Sequence, residues 1–92
     1  MLVVIKSPPG STQADAAIKR AAEITADIVL VGDAAGLALK DMLEGFCGTA
    51  FALENDVLST LAAGAVLEKG VKLITQTELE RMLSEDEHCG PF

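Results

Sequence analysis

The residues of this 92-residue chain best equipped for chemistry are two cysteines, one histidine and a few carboxylates beside small-residue turns. Cys47 and Cys89 form no CxxC, and Phe92 stands where the partner of Cys89 in such a motif would be, so CxxC dithiol chemistry is excluded as written. His88 with Cys89 offers two ligands where a structural zinc takes four, which argues against a metal site. Cys47 lies between a helix end and an apolar run, near Phe46 and Phe51, and reads as a core thiol because free cysteine is among the most buried residue types. Cys89 differs. It stands in the polar stretch SEDEHCGPF, where a thiol would be exposed and mobile, and it is therefore the one candidate sulfur carrier. Its neighbours Glu85, Asp86 and Glu87 oppose the negative charge of a reactive thiolate, so a passive tail thiol is the first reading and a carrier the competing one.

Asp33 and the pair Glu54 and Asp56 could hold a metal or do acid-base work. Each also opens an expected helix, where a carboxylate is stabilised by ~0.3–1 kcal/mol without any catalytic purpose, so capping is the simpler reading. The loop Ser7 to Thr12, SPPGST, precedes a helix and could be mistaken for a phosphate cradle. It lacks the lysine of GxxxxGK[ST] and the glycines of GxGxxG, and Pro8 and Pro9 remove two amide donors, so it reads as a structural turn.

The elements that must position these residues centre on Asp27 to Asp33, DIVLVGD, an unbroken apolar run ending in a Gly-Asp turn. Such a run marks a parallel strand covered on both faces. Leu2 to Ile5 is a second strand of the same kind. Between them, Ala14, Ala17, Ile18, Ala21 and Ile24 recur at helical spacing behind a possible cap at Thr12, which completes a βαβ unit. AAGLALKDMLEGF, residues 34 to 46, reads as a helix in which Gly36 costs about 1 kcal/mol relative to Ala and which Gly45 ends. Gly48 to Leu53 is a third strand, and Glu54, Asn55 and Asp56 open a helix running through Val57, Leu58, Leu61 and Ala62 until Gly64 or Gly70. Val71 to Ile74 is a fourth strand; Thr75 and Glu78 have capping-box spacing, and Leu79, Met82 and Leu83 form the apolar face of a last helix that dissolves into the acidic tail. The expectation is a single domain over residues 1–92, a three-layer α/β/α fold with a mostly parallel four-stranded sheet. Ligands would then meet the loops Ser7 to Thr12, Gly32 to Ala35, Glu54 to Asp56 and Thr75 to Thr77 beyond the strands' carboxyl ends.

Composition narrows the function. Fourteen acidic against seven basic residues give a formal charge of −7, and Phe is the sole aromatic type, three times, which argues against direct nucleic-acid binding. No apolar stretch approaches the roughly 20 residues of a membrane span, and MLVVIKSPPG has no basic region before its apolar run, so a cytoplasmic protein is expected. Half the residues are hydrophobic in a domain small enough to have a large surface fraction. That excess suggests a homo-oligomer, most simply a two-fold dimer, meeting through residues such as Leu37, Met42 and Leu58.

The segments IVLVGDAAGLAL, TAFALENDVLSTLAAG and GVKLITQTELERMLSE resemble the DsrE/DsrF/DsrH superfamily, most closely its DsrH/TusB branch, and the match covers essentially the whole chain. The resemblance implies a small α/β protein that works in an oligomer with DsrE-like and DsrF-like (TusD-like and TusC-like) sister subunits, handing persulfide sulfur along a relay. One branch of that family serves sulfur oxidation, the other thiolation of the tRNA wobble uridine. In the acceptor subunit a cysteine begins the helix after the third strand; here Asp56 most nearly matches it, and the ARG that usually follows is replaced by Ser59, Thr60 and Leu61. The resemblance therefore implies a non-catalytic subunit with no cofactor. The alternatives are a persulfide carrier using Cys89 and a small-ligand-binding α/β protein.

Overall fold

A computed structural model describes residues 1–40, 42–43, 46, 48–61 and 65–92. The strands are β1 (Leu2–Ile5), β2 (Asp27–Leu30), β3 (Ala50–Leu53), β4 (Lys72–Ile74) and β5 (His88–Cys89); the α-helices are α1 (Thr12–Glu23), α2 (Glu54–Thr60) and α3 (Gln76–Glu85). They form one sheet in the order β4-β3-β2-β1-β5, with every neighbouring pair parallel. The chain thus has the expected α/β fold, and among the described residues the sheet has five strands where four are expected. β2 is the middle strand, and Ile28, Val29 and Leu30 are wholly buried, as its unbroken apolar run requires.

Alternation along the strands sorts the core into two halves. Val3, Ile5, Ile28, Leu30, Ala50 and Ala52 face α1, α2 and the segment after β2, whereas Leu2, Val4, Val29, Leu53 and Ile74 face Leu79 of α3. The first half is rich in alanine: Ala14, Ala17 and Ala21 of α1 and Ala34, Ala35 and Ala38 of the segment after β2 are all buried in it. No helix among the described residues is long and apolar enough to cross a membrane.

Three local expectations are corrected. Ser11, not Thr12, caps α1, its Oγ accepting from Ala14 N at 3.1 Å. The described residues between 34 and 46 are not α-helical; a 3₁₀ helix spans Gly32–Ala38, and Leu39 is extended and bridges to Leu67. The reason lies in burial. Ala34 through Ala38 are all buried, so the segment has no wet stripe to set a 3.6-residue period, and tertiary bonds from Lys40 N to Val66 O and Glu68 N to Ala38 O draw the chain out of it. Third, the acidic tail after the last helix carries a strand of its own: residues 88 and 89 pair with β1. The readings placed on Gly45, Cys47, Ala62 and Gly64 lie outside the described residues.

The capping box at α3 is present in full. Thr75 Oγ1 accepts from Glu78 N at 3.2 Å, and Glu78 Oε1 accepts from Thr75 N at 3.3 Å. Thr75→Ala should lower stability by about 1 kcal/mol in urea unfolding, and Thr75→Ser should retain most of it; equal losses in both variants would show that the hydroxyl is not what matters.

Candidate functional site

Because all strands run in parallel, their carboxyl ends share one edge, and connections from β1, β2 and β3 leave toward the first half of the core. The connection from β4 leaves toward the other half, into α3. The direction of exit therefore switches between β3 and β4, where an open α/β sheet leaves a crevice. Here that crevice is a cleft of about 210 Å³ lined by Leu53, Glu54, Asn55, Asp56, Thr75 and Gln76. Two of the four loops expected at this edge, Glu54 to Asp56 and the loop after β4, thus come together in one depression.

Asp56 is the best-anchored group there. It sits in the first turn of α2, half-buried, and its Oδ2 accepts from Gly32 N at 2.7 Å, binding α2 to the turn that ends β2. The carboxylate therefore spans two loops, in addition to standing at a helix start as the capping reading expected. No side chain caps α2 at Leu53. Glu54 and Asn55 are exposed, and Asp33 is exposed in the first turn of the 3₁₀ helix with no cap hydrogen bond from the residue before it. Asp56→Ala should cost about 1 kcal/mol, within the range for a hydrogen bond to a charged group discounted for its exposure, and Asp56→Asn less, as read from the urea midpoint.

The loop Ser7 to Thr12 is used internally. Ser11 Oγ donates to Pro8 O at 2.7 Å while it caps α1, and Ser7 N donates to Phe92 O at 3.0 Å. These bonds fit a structural turn. Among the described residues no three His, Cys, Asp or Glu side chains are grouped to hold a metal.

Cys89 lies elsewhere. It pairs with Val3 on β5, the strand at the far edge from β4, and at ~4.8 Å between strands it stands on the order of 15 Å or more from the β3/β4 cleft. It is half-buried against the first half of the core, with Sγ 3.9 Å from Leu2 O, where its polar surroundings suggest an exposed thiol. His88 beside it is exposed. The sequence carried no signal for this placement, because a two-residue strand has no period to detect.

The fold is that of a known protein. The crystal structure of the ychN protein from E. coli superposes with a TM-score of 0.80 over 99% of this chain and 97% of that one, at 17% sequence identity. No protein-family model matches the sequence, and no curated protein sequence matches it.

Proposed function

We propose that the chain is a non-catalytic subunit of a sulfur-relay assembly of the DsrE/DsrF/DsrH kind, in its DsrH/TusB branch, serving tRNA wobble-uridine thiolation or sulfur oxidation. The observation that carries the reading is Asp56. It occupies the start of the helix after β3, where the resemblance places the acceptor cysteine, and its carboxylate is engaged in a structural bond to Gly32. A carboxylate cannot accept sulfane sulfur as a thiolate does, so the position holds the local fold without the chemistry. Whole-chain likeness to the ychN structure supports the fold on which this alignment depends.

A subunit of this kind works by contact. Leu58, Val66 and Leu73 are 72%, 64% and 44% exposed, and Met42 is also exposed, which leaves apolar surface for sister subunits or for a second copy when the protein is alone. Leu37, the other contact residue expected from the sequence, is buried and cannot serve.

Co-expression with DsrE-like and DsrF-like partners, followed by native mass measurement at micromolar concentration, should give a complex that includes this chain; recovery of this chain free of both partners would remove the proposal's main support. Treatment with a persulfide donor separates the carrier alternative. A non-catalytic subunit should gain no ~32 Da adduct, the mass of one sulfur added to a thiolate. An adduct lost in Cys89→Ser would instead make Cys89 the carrier.

A further inference from the structure

β1 is paired on both sides by different means. The carbonyls of Met1 and Ile5 accept from Asp27 and Val31, in and just after β2, so the groups of Leu2, Val4 and Lys6 point to the opposite edge. There the end of the chain supplies their partners. Leu2 N donates to Glu87 O at 2.8 Å, Phe92 N to Val4 O at 2.9 Å, and Lys6 N and Ser7 N to Phe92 O at 2.8 and 3.0 Å. β5 is the outermost strand, Glu87, His88, Gly90 and Pro91 are exposed, and the segment reaches the core through Cys89 and Phe92, both half-buried.

One residue governs whether this row can close. Gly90 has φ +106°, and a Cβ added there would stand 2.5 Å from Val4 O and 3.1 Å from the Phe92 ring. A side chain at this position therefore opposes docking of the segment on β1.

We propose that Glu87–Phe92 is a strap that docks on and releases from β1 as a unit, covering and uncovering the β1 edge and the Cys89 thiol together. Release leaves β1 to β4 paired and α3 held by its own cap and by Leu79, so the opening is local and lies below global unfolding. Release also leaves the outer edge of β1, LVVI, with unpaired backbone groups. The strap stands whether or not sulfur transfer is the protein's work, because it rests on the edge hydrogen bonds and on Gly90.

The test uses the full chain under native conditions, with iodoacetamide as the probe and peptide-resolved mass spectrometry to read Cys89 apart from Cys47. Gly90→Ala should raise the Cys89 alkylation rate by about 10-fold or more while the thermal midpoint stays within a few degrees of wild type. An unchanged rate, or a rise matched by a collapse of the midpoint, would overturn the proposal. In the wild type, the Lys6 and Phe92 amides should exchange with deuterium at a common rate faster than the Val31 amide, which is bonded to Ile5 O; exchange of all three at one rate would equally overturn it.

Discussion

Ile28→Ala should destabilise the protein by about 2–5 kcal/mol, the range for truncating a fully buried Ile or Leu. The side chain is wholly buried on the middle strand of the sheet, between α1 and the alanine-rich 3₁₀ segment, and its backbone amide is fixed to Thr49 O at 3.0 Å. Neighbouring alanines cannot extend to refill the space, so the cavity term adds to the lost transfer energy. A domain of this size has about 5–15 kcal/mol in all, so a single truncation removes a large share. Leu58→Ala provides the contrast. Leu58 is 72% exposed, and its truncation should move stability by no more than ~0.5 kcal/mol. Urea unfolding of the two variants reads both, and equal midpoints would mean that the β2 core is not packed as described.

What the sequence disclosed followed from periodicity. β2 and β1 were legible because four apolar residues in a row on a short segment suit a strand covered on both faces and little else, and α1 because Ala14, Ala17 and Ala21 repeat at helical spacing against exposed Asp15, Lys19 and Glu23. The capping box was legible because two specific side chains at fixed spacing satisfy two specific amides. The loops of the cleft could be assigned to the carboxyl edge from strand polarity alone, but not to one another, since strand order is a non-local property. β5 was hidden for the same reason. Its two residues gain their structure from β1, more than eighty positions away, and from a glycine whose φ no local pattern announces. The acidic neighbours of Cys89 face solvent and make it read as a tail thiol, while the thiol itself packs against the core.

At Gly36, helix propensity and packing predict opposite signs. Propensity alone says that Gly36→Ala should stabilise the segment, by up to about 1 kcal/mol. The structure says otherwise: Gly36 is buried, and a Cβ there would meet Pro9 Cγ at 2.8 Å and Cδ at 3.3 Å. The Pro9 ring is stiff and held in the turn between β1 and α1, whose Pro8 carbonyl accepts from both Ser11 N and Ser11 Oγ, so it has little room to retreat. Gly36→Ala should therefore destabilise by about 1–3 kcal/mol, the usual range for overpacking. Pro9→Ala removes the opposing ring, and in the double variant the Gly36→Ala loss should largely vanish, giving a coupling of ~0.5–3 kcal/mol between two residues twenty-seven positions apart. Additive losses would place the cost of Gly36→Ala in the backbone of the 3₁₀ segment, and a gain in the single variant would show that the Pro9 turn yields to the methyl group.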